Sequence, residues 1–336
     1  MATNDSPDPR DEELDEDLLD DILHRAEECE KSRQWEEYNA LRLQSIQLFA
    51  QHFGPDHKVT LHYKMNLAYN YRAQGNFSGD ESVAQDVVEG RRRTLGDHAD
   101  TASAMNSLAI SIKAQQRVDE GLRLDEETLE MLQRVLGNEA DATHAAMQNL
   151  GNSYFNVGRH DEAAALHRKV VDIRTQKLGK GDRETIIAMD MLARDFTALG
   201  EWDKAQQLQE EVTGLAQANF GDGDNTTICC ILNLLKTYTH VGEPTKALKL
   251  MEDALAAFRQ LGRDDSEPSA VLMNQLAIAY SEQERFEEAG PLYERFYEWI
   301  KGVLGPDHPR TEEARLDVQD NLVAQGKLVK TSIFGL

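Results

Sequence analysis

A phenylalanine or leucine followed by glycine returns at Gly54, Gly96, Gly137, Gly179, Gly221, Gly262 and Gly305, in steps of 42, 41, 42, 42, 41 and 43 residues. A period this constant requires one structural unit repeated along the chain, each copy burying its apolar face against its neighbours. The stretch between Gly137 and Gly179 shows what the unit is. Met147, Leu150, Gly151 and Tyr154 fall at helical spacing, and so do Ala163, Leu166, Val170, Val171 and Ile173. The spacing predicts two antiparallel helices, the first ended by Gly158 and the second by Gly179. One such hairpin has too little apolar surface to fold alone.

Other columns keep the same register. A first-helix leucine recurs as Leu67, Leu108, Leu150, Leu192, Leu234 and Leu276, with Val318 in the last unit. A small residue follows it at Ala68, Ala109, Gly151, Ala193 and Ala277, and an aromatic lies four on at Tyr71, Tyr154, Phe196, Tyr238 and Tyr280. The second helix places Ala163, Ala205, Ala247 and Ala289 where the paired helices must come close. Two units depart from that alanine. Gly121 keeps the approach close at some cost in helix propensity. Asp80 puts a carboxylate between packed helices, which is costly unless it turns to solvent or finds a donor; the expectation is that Asp80→Ala stabilises the chain.

Three marks in these columns carry a resemblance. They are the Leu-Gly-x-Asp-His-Pro linker, intact from Leu304 to Pro309 and nearly so from Phe53 to His57, the Asn-Leu-Ala/Gly step, and the Gly-x-x-x-x-Ala turn. Over roughly residues 34 to 326 the chain resembles a tetratricopeptide (TPR) repeat protein of the 42-residue kinesin-light-chain type. The resemblance implies an all-α, right-handed superhelical solenoid of antiparallel helix pairs, with first helices lining a concave groove. The expected organisation is a disordered acidic tail over 1–11, a degenerate N-terminal capping repeat over 12–53, repeats over 54–326 with the last incomplete, and a tail over 327–336. The acidic run Asp11 to Asp21 reads as the start of a capping helix, or as a segment able to fold back on the groove.

Sixty acids against 36 bases leave a net charge of −24, which disfavours nucleic acid and anionic membrane as partners. No apolar run approaches the roughly 20 residues of a membrane span, and the acidic beginning does not read as a targeting segment, so a cytoplasmic chain is expected. Cys29, Cys229 and Cys230 form no metal spacing or disulfide framework and are expected as free, buried thiols. His57, His98 and His308 precede first helices and are expected to help cap them. His160 and His167 stand in packing columns, and Arg91, Arg92 and Arg93 read as a solvated outer face. No nucleophile–base, phosphate-loop or metal motif occurs, so neither an enzyme nor a cofactor is expected.

What remains is the groove. Carried over by position relative to the central leucine, the resemblance implies inward-facing Asn66, Arg72, Asn106, Lys113, Gln148, Asn149, Asn152, Arg194, Asn233, Lys236 and Asn274. Gln275 stands in the same set, and Tyr69, Phe155 and Ile278 are apolar anchors. Side-chain amides donate and accept together, which suits an extended peptide; the alternative is that they hold neighbouring helices in register. Arg72, Lys113, Arg194 and Lys236 outnumber Asp190 and Glu282 there, so an acidic or phosphorylated peptide is the expected ligand. The leading function is a non-catalytic interaction scaffold. The alternatives are a sensor or regulatory part of a larger machine, of nucleotide-switch or motor-adaptor type, and an enzyme with its site in the groove.

Overall fold

The computed structural model of the protein describes residues 16–328, and all regular structure among them is helical. The expected acidic tail over 1–11, the first part of the Asp11 to Asp21 run, and positions 329–336 of the expected C-terminal tail lie outside the described residues. The helices are α1 (Glu16–Ser32), α2 (Trp35–Phe53), α3 (Lys58–Ala73), α4 (Phe77–Leu95), α5 (Ala99–Ala114), α6 (Val118–Leu136), α7 (Asp141–Asn156), α8 (His160–Leu178), α9 (Arg183–Ala198), α10 (Trp202–Phe220), α11 (Asn225–Val241), α12 (Pro244–Gln260), α13 (Glu267–Glu282), α14 (Phe286–Leu304) and α15 (Pro309–Ala324). They pair into the hairpins of an all-α repeat solenoid. The chain divides into two compact units, Met1–Val170 and Val171–Leu336, with the boundary inside α8.

The linkers draw on a small set of recurring contacts. The periodic glycine that follows the second helix has a positive φ, 81° at Gly137 and 86° at Gly305, a region that costs other residues energy. In four linkers a hydroxyl on the next first helix then closes the turn. Thr60, Thr101, Thr143 and Thr311 donate to the carbonyls of Gly54, Gly96, Gly137 and Gly305 at 2.7 to 2.9 Å. His57, His98 and His308 are N-caps, each Nδ1 accepting from the backbone N–H two residues on. Asp182 and Asp224 do the same with a carboxylate. The aspartates that precede two of these histidines tie the linker to the second helix that follows it, Asp56 to Arg93 at 2.7 Å and Asp97 to Arg134 at 2.8 Å. The arginine run is thus occupied: Arg91 donates to the Asp100 carbonyl and Arg92 pairs with Glu127.

In the first unit Ile22, Ala26 and Cys29 of α1 pack on Tyr38 and Leu41 of α2. The leucine and small-residue columns are buried at Leu67, Ala68, Leu108 and Ala109. Gly151 is smaller than alanine for a reason: a Cβ there would meet the His167 ring at 2.5 Å. In the second unit a continuous core runs from Ile228 and Leu234 through Met251, Phe258 and Met273 to Phe296 and Ile300. Pro244 opens α12, where its missing N–H costs nothing. Pro291 lies inside α14 beyond the first turn, so the Glu287 carbonyl loses its helical donor.

Asp80 reverses the expectation placed on it. It is completely buried, but it is not an uncompensated carboxylate. Arg72 Nε donates to Asp80 Oδ2 at 2.6 Å, and Ser111 Oγ donates to the same oxygen. The other end of the guanidinium donates to the Ser107 carbonyl at 2.9 Å and to Ser107 Oγ at 2.6 Å. The position taken by alanine elsewhere thus anchors a bridge from the first repeat to the second. One repeat on, Lys113 Nζ crosses above Gly121 to reach Asp125 Oδ2 at 2.6 Å and Ser153 Oγ at 2.9 Å. A Cβ at Gly121 would overlap the Lys113 side chain.

Removing one partner of a buried pair strands the other. Asp80→Ala is therefore expected to destabilise the first unit by about 3 kcal/mol, tempered because a fifth of the Arg72 side chain still reaches water. The Asp80→Ala, Arg72→Leu double variant recovers most of the loss. Urea unfolding of both variants checks this, and a midpoint raised by Asp80→Ala alone would refute it.

Candidate peptide-binding faces

The first helices expose one recurring position, two residues after the buried leucine. In the first unit it is Tyr69 and Ile110, both exposed, then half-buried Asn152. In the second it is Arg194, Lys236 and Ile278, all exposed. The chemistry of the two faces differs because of what lies beneath this row.

In the first unit the two bases assigned to the face are taken up by the fold. Arg72 and Lys113 point to buried Asp80 and Asp125, and Arg72 also lies over the Tyr69 ring at 5.5 Å. The expected excess of positive charge over the face is thereby cancelled: +4 and −2 become balanced once Asp80 and Asp125 are counted. Amides are engaged as well. Asn149 Nδ2 donates to Asn106 Oδ1 at 2.8 Å across neighbouring repeats, and Asn66 Nδ2 meets His62 Nε2 at 3.2 Å. Gln148 is buried. Phe155, expected as an anchor, packs edge-on against His160 with ring centres 5.1 Å apart.

In the second unit the bases stay at the surface. Asn233 Nδ2 donates to both oxygens of Asp190, at 3.0 and 2.9 Å, the same inter-repeat bridge that joins Asn149 to Asn106. Burial pushes the Asp190 carboxyl above the usual range, and the Asn233 hydrogen bond and the charges of Arg194 and Lys236 oppose that rise. These groups line a cavity of about 540 Å³ between α9 and α11, together with Ile187 and Met191. Cys229 also lines it and is exposed, contrary to the expectation of a buried thiol, whereas Cys29 and Cys230 are buried. All three are free. Asn274, one repeat further along, keeps a buried Oδ1 with no hydrogen-bond partner.

A second cavity, of about 640 Å³, opens between α11, α12 and α13 and shares Lys236 with the first. Sequence reasoning missed it. Its signal was present in two columns: the residue five after the leucine and the residue four after the alanine face each other. They are Lys113 and Asp125 in one repeat, Ser281 and Tyr293 in another, but Thr239 and Met251 between α11 and α12. Among the described residues no group of three or more metal-ligating side chains converges, and no helix is long and apolar enough to cross a membrane.

Comparison with known proteins agrees with this architecture. The tetratricopeptide repeat family matches residues 100–176, 143–218, 184–260 and 227–298, and a second pattern of the same family matches 60–100. Among solved structures, the chain is similar to the nearly identical TPR-like repeats of a Podosopora anserina protein named for kinesin light chain. That match has 23% identity and a TM-score of 0.56, covering 60% of this chain and 96% of that one. It is similar to BtubC (BKLC) from P. vanneervenii at 20% identity and TM-score 0.60, covering 69% of this chain and 94% of that one. A signal transduction ATPase with a tetratricopeptide repeat sensor, PH0952 from Pyrococcus horikoshii, aligns at 14% identity and TM-score 0.65. There 93% of this chain covers 45% of the larger one. No curated protein matches the chain.

Asp190 gives this face a pH signature. An acid whose folded pKa is raised binds its proton more tightly when folded, so it costs stability once pH rises above the unfolded value of about 3.9. Asp190→Asn removes that cost and reproduces the Asn106–Asn149 pair. The variant is expected to melt higher than wild type at pH 7, with the gain vanishing as pH falls towards about 4. Thermal melts across that range check it; a gain independent of pH would refute the assignment to Asp190.

Proposed function

Because the chain belongs to the tetratricopeptide repeat family, of the kinesin-light-chain-like type, we propose that it is a protein-interaction scaffold whose second unit binds an extended, acidic peptide across α9, α11 and α13. The observation that carries this reading is the exposure of Arg194 and Lys236 on neighbouring first helices, beside cavities of about 540 and 640 Å³. An exposed base in a net-negative chain favours acidic groups at contact range while the rest of the surface repels wrong partners at distance. In the first unit the bases are drawn down to the buried carboxylates of Asp80 and Asp125, so it is not proposed as a second acidic-peptide site.

The setting of such a scaffold has two forms, a free-standing adaptor or the sensor part of a larger machine. The likeness to the repeat sensor of PH0952 motivates the second. In both, the recognition step is the same.

The test is a charge reversal. Arg194→Glu with Lys236→Glu is expected to weaken an acidic peptide, selected from a random peptide library on the wild-type protein, by about a hundredfold, roughly tenfold per reversed charge. Titration by fluorescence polarisation at two salt concentrations reads it, with circular dichroism confirming helical content. Unchanged affinity together with unchanged salt dependence would place the ligand elsewhere.

A further inference from the structure

We infer that the cavity between α11, α12 and α13 is the receptor for an aliphatic side chain of the same acidic peptide, set two to three residues beyond the acid held by Lys236; this rests on the peptide reading above.

The cavity lies where a tie present in three other repeats is missing. In those three the gap between the first and second helix is bridged from one side or the other. Arg72 and Lys113 reach across to Asp80 and Asp125, and Tyr293 reaches back to Ser281 at 3.4 Å. Between α11 and α12 the facing residues are Thr239 and Met251. The Thr239 hydroxyl turns to its own helix, donating to the Leu235 carbonyl at 2.9 Å. The Met251 side chain carries no polar group to cross the gap. Leu235, Ala247, Met251, Ile278 and Ala279 give the space apolar walls, alongside the polar Lys236, Gln275, Glu282 and Gln283.

Its occupant follows from chemistry and continuity. An apolar-walled cavity of about 640 Å³ lies within the range of ligand-binding sites, and it opens onto the face that bears Arg194 and Lys236. Lys236 lines both cavities, so a peptide whose acid meets that amine passes directly over the opening. The single aromatic ring on the walls, His240, is already stacked on Trp202 with centroids 3.5 Å apart. An aromatic guest would therefore gain little ring–ring energy, whereas an aliphatic one matches the adaptable methionine floor. Packed helices lie about 8–10 Å apart and an extended chain advances about 3.3 Å per residue. The acid over Arg194 and the acid over Lys236 are then about three residues apart, with the aliphatic residue about two to three further on.

Two measurements test this separately from the peptide reading. In the first, fluorescein-labelled Gly/Ser peptides carry two aspartates three residues apart, followed two or three residues later by leucine, alanine or tryptophan. Wild-type protein is expected to bind the leucine peptide about tenfold more tightly than the alanine peptide, with tryptophan no tighter than leucine. Met251→Tyr, which places at this position the side chain that Tyr293 supplies in its own repeat, erases the leucine preference. So does Thr239→Lys with Met251→Asp, which copies Lys113 and Asp125. Equal binding of leucine and alanine peptides by wild type, a tenfold preference for tryptophan, or a leucine preference surviving in both folded variants would overturn the proposal. In the second, the Met251 methyl resonance of protein carrying ¹³C-methyl methionine is followed as neutral N-acetyl-leucinamide is added. A shift is expected in wild type and in the Arg194→Glu, Lys236→Glu variant alike; its absence from wild type overturns the aliphatic pocket. A shift that persists while acidic peptides fail to bind either protein leaves the pocket standing and removes the peptide reading alone.

Discussion

Close approach of paired helices is the constraint on which the rest of the structure depends. A single hairpin cannot bury enough apolar surface to fold, so each must bring its leucine column against its own partner helix and the next repeat. That approach works only where one column is small. Ala68, Ala109, Ala193 and Ala277 on the first helices, and Ala163, Ala205 and Ala289 on the second, are fully buried. Gly151 goes one step further because the His167 ring takes the space a methyl would fill. Once backbones are this near, neighbouring side chains meet at fixed offsets. The recurring hydroxyl-to-glycine bond, the His or Asp cap and the Asn149–Asn106 and Asn233–Asp190 bridges are consequences of that geometry.

The same geometry decides which polar groups are spent on the fold. A long base on a first helix can lie over the surface or dive between helices to a buried acid. The outcome depends on the residue opposite. Arg72 and Lys113 find Asp80 and Asp125, with Ser107, Ser111 and Ser153 adding partners, while Asp125 Oδ1 is left without one. Arg194 and Lys236 have Thr197 and Thr239 one turn on, in the column that supplies Arg72 and Lys113 in the first unit, and they remain exposed. Charge is thus internal in one unit and external in the other, because the bases of the first stand five residues after the buried leucine and those of the second only two.

The hairpin, its period and its stops were legible because they are local: glycines with positive φ and apolar residues at helical spacing need no distant partner. The bases on the face were legible as residues but not as roles. The partner of Arg72 lies eight residues away on the other helix, and the serines that share it belong to the next repeat. A column identifies a position without saying which way a flexible arm turns. Asp80 was visible as a departure, yet the sign of its effect required knowing that donor. The adjacent pair Cys229 and Cys230 shows the same limit at short range. A general tendency of cysteine towards burial does not say which way each of two neighbours on a helix faces, and Cys229 is the one that faces out. The cavity beside Met251 was missed for a different reason: an unfilled space is the absence of a pattern, visible only when two columns are compared at once.

A repeat fold makes binding capacity a matter of what the ties leave over. Every inter-helix bridge that steadies a hairpin removes a donor, an acceptor or a cavity from the face above it. In the first unit the ties are strong and the exposed row is Tyr69, Ile110 and Asn152, with little charge left to select a partner. In the second unit Thr239 and Met251 forgo the tie, which leaves an apolar-walled cavity beside the exposed Lys236. Asp190 occupies the middle ground, bonded by Asn233 yet still close enough to Arg194 and Lys236 for their charges to act on it. Recognition is therefore concentrated where stabilisation was relinquished. A scaffold built from nearly equivalent hairpins can acquire one selective site without any change of fold, by shortening one arm and emptying one partner position.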